Sequence, residues 1–403
     1  MLRVPHARSA VAVIVAIALA LTLPASPAFA ASVPPKAGLV NYVGASTTSL
    51  TVDWADIPGA TSYYVYAGTS HAQVTRPEHP VNQKTTTSKA TVTGLKPGVA
   101  YFIQVRGVSS AGMGPRSSPV AHETITAQAT LPASWPSYHA VSWNVCSNVC
   151  SGIASRKTVI DKRIAELAPD IVALQEASKY TAAPSVYRFA YNGQNDILIR
   201  TGRFAPVAAK SGGATSGATL FPSTYASAGK GMSWAAVRHS SGAYLLVANT
   251  HLVVGTSTSV VRQREYEAGK LADAISATLT RLNKTHRSLT DWTKAPVIVL
   301  GDFNTHKSRT GDKTMAVLEQ RGWHDAYDQA RVLSLQHYNT ANPTMSLTPF
   351  VSVTWGDHVD KVLVRPSRSV VFRWANAGKT AGGKWIGPLG SDHHPLSVRL
   401  GLR

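Results

Sequence analysis

Cysteine is nearly absent: the 403 residues contain two, Cys146 and Cys150. A zinc site needs more thiolate or imidazole ligands than this pair offers. Its three intervening residues also depart from the two of a redox-active pair. What the pair can do is close a small loop in an oxidising compartment, with stabilisation at the low end because the loop is short; two free thiols are the alternative. Long apolar runs are as scarce. The one present, from about Ala10 to Leu23, is shorter than the ~20 residues a membrane-spanning helix needs. It follows Arg3 and Arg8 and precedes Ala28-Phe29-Ala30, so residues 1–30 read as a secretory signal peptide. No later stretch can span a bilayer, and a soluble, secreted, extracellular chain is expected. Repeats and low-complexity tracts are missing too.

Carboxylates are also few. Asp and Glu total 21 against 40 Lys and Arg, a formal net charge of +19. Residues 129–403 hold 31 Lys and Arg against 17 Asp and Glu, a surplus of 14 positive charges. Such a field attracts polyanions over long range, although it also serves solubility.

The chain divides in two by pattern. From 35 to 125 it reads as all β: Ser49-Leu50-Thr51-Val52-Asp53-Trp54 and Ser62-Tyr63-Tyr64-Val65-Tyr66-Ala67 alternate, and turn residues separate such runs. Alternation puts Tyr64 and Tyr66 on one face and Tyr63 on the other, so strand packing accounts for them. Trp54 early, and Leu95-Lys96-Pro97-Gly98-Val99-Ala100-Tyr101 late, closely resemble a fibronectin type III domain with its tyrosine corner. The resemblance implies a seven-strand sandwich without disulfides, acting as a spacer or binding a carbohydrate, surface or partner; it implies no activity. Residues 126–136 are small, uncharged and Pro-containing, and read as a linker.

Residues 137–403 mix strands and helices, an α+β pattern. Apolar strands are expected at 140–145, 171–174, 243–249, 296–300, 362–364 and 395–400, and helices at 157–167 and 259–283. Beside or at the ends of these strands lie six polar motifs: Ser142-Trp143-Asn144, Leu174-Gln175-Glu176, Asn249-Thr250-His251-Leu252, Gly301-Asp302-Phe303-Asn304, His358-Val359-Asp360 and Ser391-Asp392-His393. Gly301 is expected to let the backbone turn, presenting Asp302 and Asn304 on one face of an extended chain.

In order and spacing these motifs resemble the endonuclease/exonuclease/phosphatase superfamily, the DNase I-like metal-dependent phosphodiesterases. The resemblance implies a two-layer mixed β-sandwich flanked by helices. It makes Asn144, Glu176 and Asp392 the metal-site residues and His251, Asp302, Asn304, Asp360 and His393 the catalytic ones. Asp302 would align or deprotonate the attacking water, or help the leaving group, and Asn304 would orient the phosphate. His393, backed by Asp360, would act as general base or transition-state cation. His251 would face the scissile phosphate; its own carboxylate partner is not readable, with Asp196 a candidate. Asn249 reads as structural, and His358 and His394 are given no role. The cofactor expected from hard oxygen ligands is Mg²⁺ or Mn²⁺, with Ca²⁺ an option.

A nuclease acting on DNA or RNA is the first expectation, as a monomer. His306 two residues beyond Asn304, where the inositol-phosphatase branch carries Arg, disfavours that branch. The sphingomyelinase branch shares Asn-Thr-His-Leu and Gly-Asp-Phe-Asn and is the alternative, with Phe350 and Trp355 available for membrane contact. A non-catalytic secreted binding protein is a further alternative.

Overall fold

In a computed structural model, residues 32–131, 135–209, 213–226 and 230–403 are described. The expected signal peptide lies outside them.

The N-terminal sandwich packs the sheet of Val40–Ala45, Ser49–Trp54 and Lys89–Thr93 against a five-stranded sheet centred on Ser62–Gly68 and Ala100–Ser109. That is eight strands rather than seven, because the two-residue Gly112–Met113 returns against the end of Ala100–Ser109 in a tight hairpin. The alternating residues Leu50, Val52 and Trp54 are buried, as are Val65, Ile103 and Val105. Trp54 meets Tyr63 edge-on at 5.3 Å. The Tyr101 hydroxyl accepts from the Lys96 amide at 3.0 Å, closing the tyrosine corner. Tyr66 is buried beneath Arg116, whose guanidinium lies 3.7 Å from the ring centre.

The second unit is two mixed sheets face to face. One runs, edge to edge, Tyr187–Tyr191, Asp196–Arg200, Ile171–Gln175, Ser137–Asn144, Leu396–Leu402, Ser369–Asn376 and Leu333–Ser334. The other runs Phe204–Pro206, Gly231–His239, Tyr244–His251, Val297–Asp302, Asp360–Val364 and His324–Asp325, with Ser216–Leu220 also paired to Gly231–His239. Strand alternation sets the layers. Ala140, Ile171, Ala173 and Ile197 face Val247, Ile298, Leu300 and Val362 between the sheets. Val141, Trp143, Val172 and Leu174 face outward onto Ile160 and Ile164 of the helix Ile153–Leu167. Leu246, Ala248 and Val299 do the same beneath Leu271, Ile275 and Leu282 of the helix Thr258–His286. With both faces covered, all of Ile171–Gln175 is buried, which is why it reads as a continuous apolar run.

The buried face of that second helix begins with the polar Gln263, Arg264 and Glu267, while the apolar Val260 and Val261 are only half-buried. Their polar atoms are satisfied: Arg264 pairs with Asp312 at 2.7 Å and donates to the carbonyls of Val253 and Gly255, and Glu267 accepts from the Val253 amide. The chain just beyond His251 is thus fastened.

The two units meet along a seam. The Ala121 amide donates to the Thr354 carbonyl at 2.7 Å, and the Ala45 amide to that of Arg331 at 3.2 Å. His122 lies between Tyr42 and Tyr327, with ring centres 5.3 and 4.7 Å away. Thr126 and Gln128, in the stretch read as linker, bond to Gln329.

Candidate active site

Strand pairing brings the polar motifs to one rim. Asn144 and Gln175 are partners in a parallel pair, His251 and Asp302 in another, and Asp302 and Asp360 are antiparallel partners. Asn249, one turn of the pleat inside, pins the sheets together. It accepts from Gln175 Nε2 at 2.8 Å and donates to the carbonyls of Leu174 and Asp196, the structural part expected for it.

Gly301 serves a different end from the one expected. The strand runs straight through it to Asp302, and a Cβ there would fall 2.3 Å from the Thr250 carbonyl oxygen. The glycine permits close approach of two parallel strands, not a turn. Nor does the chain stay extended to Asn304, which has φ 51° and donates its backbone N–H to Asp302 Oδ1 at 2.9 Å. Its side-chain amide donates to the Leu252 carbonyl at 2.9 Å. Glu176 is also left-handed, at φ 53°. Two non-glycine residues in that region at one rim are strain of the kind held at functional sites.

Asn144 Nδ2 donates to Glu176 Oε1 at 3.1 Å and to Asp302 Oδ2 at 3.2 Å, while its Oδ1 accepts the Cys146 amide. His251 Nε2 lies 3.6 Å from Asp302 Oδ2, and Nδ1 lies 3.9 Å from Glu176 Oε1. His393 Nδ1 is 2.8 Å from Asp360 Oδ2, and its Nε2 faces Asp302 Oδ2 at 3.8 Å. Six of the eight expected site residues thus form one cluster, with Asn304 attached through Asp302. Asp392 sits to one side, its carboxylate grouped with the Cys146 and Cys150 sulfurs. Those cysteines are disulfide-bonded. The carboxylates nearest His251 are Glu176 and Asp302, not Asp196, whose Oδ1 accepts from Asn192 and Gly193.

The charges follow from this packing. Burial would raise the Asp302 carboxyl, but the His251 and His393 rings and the Asn144 and Asn304 amides more than offset it, holding it below the ordinary range. Burial pushes His251 down and keeps it neutral despite Asp302. Burial lowers His393 as well, yet the adjoining Asp360 carboxylate overrides it and lifts the imidazole to about 10. The rim therefore presents an ionised Asp302 between a neutral and a cationic imidazole.

Glu176 Oε2 and Asp360 Oδ1 are buried without a hydrogen-bond partner. A lone buried carboxylate oxygen is costly, and oxygen donors of this kind fit a hard divalent cation. Asp302, Asp360 and His393 also group closely enough to hold one.

Three contributors were not legible as site residues. Arg156, on the helix Ile153–Leu167, donates to the carbonyls of Val145, Cys146 and Gly390, tying the Asn144 loop to the Ser391 loop. Thr340 Oγ1 accepts from the Val359 and Asp360 amides. Lys230 lies beside His251 in a groove of about 190 Å³ with Tyr191, Asn195 and Leu220. None stands in a local motif; each acts through contacts far along the chain.

The Endonuclease/Exonuclease/phosphatase family model matches residues 141–393, well over half of the chain. The chain belongs to this family. The family's members are phosphoric ester hydrolases and generally use divalent metals. The Fibronectin type III domain model matches residues 34–123. The chain is similar to Fibronectin type III domain-containing protein 7 of Mus musculus, 35% identical over 100 residues, covering 24% of this chain and 13% of that protein. The human protein of the same name is 32% identical over 120 residues, covering 27% and 15%. The chain thus spans a small fraction of those relatives' length. Among solved structures, an endonuclease/exonuclease/phosphatase family protein from Bacteroides thetaiotaomicron is similar at TM-score 0.49 and 18% identity, covering 67% of this chain and 97% of that one. A mannosyl-6-phosphatase from the same organism aligns at TM-score 0.45 and 17% identity, covering 65% and 99%. D. rerio TDP2 complexed with single strand DNA product aligns at 0.42 and 18%, covering 66% and 99%.

Proposed function

We propose that this chain is a secreted, divalent-cation-dependent phosphodiesterase whose substrate is nucleic acid. The observation that carries the reading is the single Asn144 amide shared by Glu176 and Asp302, with His251 and the His393–Asp360 pair closing around Asp302.

Glu176, with Asn144 orienting it, would hold the cation, Mg²⁺ or Mn²⁺ by the hardness of its donors. Bound there, a divalent cation would supply Lewis-acid polarisation of the phosphoryl group. Asp302, ionised and aimed between two imidazoles, receives the proton of the attacking water. His393 is cationic in this setting, so it stabilises charge on the phosphoryl oxygens rather than acting as a base. Asp360 fixes its orientation. His251, neutral, offers a hydrogen bond to the phosphate. Asn304 is the turn that fastens Asp302 and orients the phosphate beside it. Asp392 adds negative charge near His393 rather than a primary ligand.

Two features favour nucleic acid over lipid. The positive surplus of residues 129–403 and Lys230 beside His251 suit a polyanion. Trp355, available for membrane contact only in the alternative sphingomyelinase reading, meets Phe102 edge-on at 5.6 Å in the seam, with Lys307 above it at 5.0 Å. Phe350 is left exposed alone of the two. The test compares cleavage of plasmid DNA, RNA and sphingomyelin by the purified chain with Mg²⁺. Nicking of a polynucleotide with sphingomyelin untouched is expected; lipid cleavage without nicking would move the substrate to the sphingomyelinase branch, and no cleavage of any of them would support a binding protein.

A further inference from the structure

Val120–Glu123, the last strand of the fibronectin sandwich, docks on both loops that deliver the catalytic carboxylates. On one side Glu123 accepts a hydrogen bond from Lys307 Nζ, and Asp328 Oδ1 accepts from the same ammonium at 2.7 Å. Lys307 stands in the turn that leaves Asn304. Within that turn Arg309 donates to the Asn304 carbonyl and to His306 Nε2, and His306 Nδ1 pairs with Asp357 at 2.9 Å. On the other side the Ala121 amide holds the Thr354 carbonyl, and Phe102 packs on Trp355. Thr354 and Trp355 lead through Asp357 into Asp360, and the Phe303 amide donates to the Val359 carbonyl at 2.8 Å. A half-buried ammonium with two carboxylate partners is expensive to leave short of one, and Lys307 has one partner from each unit.

We propose that the fibronectin domain is not a spacer but a clamp on the catalytic loops, with Glu123 and Lys307 as positioning residues for Asn304 and, through it, Asp302. The assignment of a catalytic consequence rests on the phosphodiesterase reading; the clamp itself rests on the seam alone. The chemistry needs phosphate-orienting groups held to a fraction of an ångström. A left-handed Asn304 at φ 51° needs outside contacts to keep it there. The turn carrying Lys307 is short, and a contact to Glu123 across the seam supplies that restraint.

The test uses the full chain, with Glu123→Ala, Glu123→Gln, Phe102→Ala and, as a seam control away from the loops, Gln128→Ala. Amide hydrogen exchange is read in peptides spanning 303–310 and 352–360, alongside kcat and KM on bis(4-nitrophenyl) phosphate and Mn²⁺ affinity by calorimetry. For Glu123→Ala, faster exchange in 303–310 is expected, with kcat down roughly tenfold to a hundredfold and with KM and Mn²⁺ affinity near wild type. Glu123→Gln, which keeps an acceptor for Lys307, is expected to recover most of the loss, and Gln128→Ala to change neither loop. Should Glu123→Ala fail to fold, Phe102→Ala reads the same clamp through 352–360. Wild-type exchange in both peptides, or faster exchange with kcat unchanged, would overturn the proposal. A wild-type chain without any hydrolytic activity would overturn the phosphodiesterase reading, while the exchange data would still decide the clamp.

Discussion

One amide of Asn144 joins two carboxylates: Nδ2 donates to Glu176 Oε1 at 3.1 Å and to Asp302 Oδ2 at 3.2 Å. Those residues come from different sheets, so Asn144 sets the spacing between the group that would hold a cation and the group that would take the proton. Removing it leaves both carboxylates nearer to mutual repulsion, with one hydrogen bond fewer each.

Asn144→Ala is therefore expected to weaken Mn²⁺ binding by about tenfold and to lower kcat/KM by roughly a hundredfold. Calorimetric titration and hydrolysis of bis(4-nitrophenyl) phosphate check the two effects. Unchanged cation affinity would mean that Asn144 does not organise the ligands.

The His393–Asp360 pair makes a statement about pH. In the cation-free protein His393 is lifted to about 10 by Asp360 at 2.8 Å. A raised histidine contributes stability that is fully present below its unfolded value near 6.5 and lost as pH rises through 10. In EDTA, wild type should lose stability between pH 7 and 10.5 by more than His393→Gln does, as read from urea midpoints. Replacing the partner, as Asp360→Asn, removes the strongest raising influence and leaves burial opposed only by Asp302 and Asp392, so the His393 imidazole should then titrate well below 10 by NMR.

Asp196 carries the opposite signature to a paired carboxylate. Its carboxyl is buried, Oδ2 has no partner, and burial pushes it up to about 7. The folded state thus holds the proton more tightly than the unfolded chain, so stability is lost as pH rises from about 4 through 7. Asp196→Asn should match wild type near pH 4 and gain steadily on it up to pH 7, reaching on the order of 1 kcal/mol or more. A pH-independent difference in melting would contradict this.

Gly301 tests the packing beneath the site. With a Cβ 2.3 Å from the Thr250 carbonyl oxygen and 2.8 Å from its Cγ2, Gly301→Ala must push apart the two parallel strands that carry His251 and Asp302. A loss on the order of 2 kcal/mol or more is expected from denaturant melts, together with reduced activity. A variant as stable and active as wild type would show that the strands tolerate the wider spacing.

What was legible in the sequence is what local pattern encodes. Asn144, Glu176, His251, Asp302, Asp360 and His393 converge because each ends or adjoins an apolar strand, and buried strands of one sandwich bring their ends to common rims. Trp54 was legible from strand alternation, and Tyr101 from the Leu-x-Pro-Gly-x-x-Tyr spacing that resembles a tyrosine corner. The misses concern relations between distant segments. The reason for Gly301 lies in Thr250, on a neighbouring strand. The carboxylates nearest His251 are Asp302, on the neighbouring strand, and Glu176, across the sheets. Asp392 follows the motif order, yet the loop turns its carboxylate to the disulfide. The polar start of the buried face of Thr258–His286 had no local signal, because Arg264 finds Asp312 and Glu267 finds Val253 only after folding. The docking of Glu123 on Lys307 had no local signal at all.

The most direct test of the central claim is supercoiled-plasmid relaxation by the purified chain and by Glu176→Gln, with Mg²⁺ and then with excess EDTA. The proposed function requires Mg²⁺-dependent nicking by wild type, abolished by EDTA and reduced roughly a hundredfold or more in Glu176→Gln. Nicking that persists in EDTA, or that survives in Glu176→Gln at the wild-type rate, would contradict it.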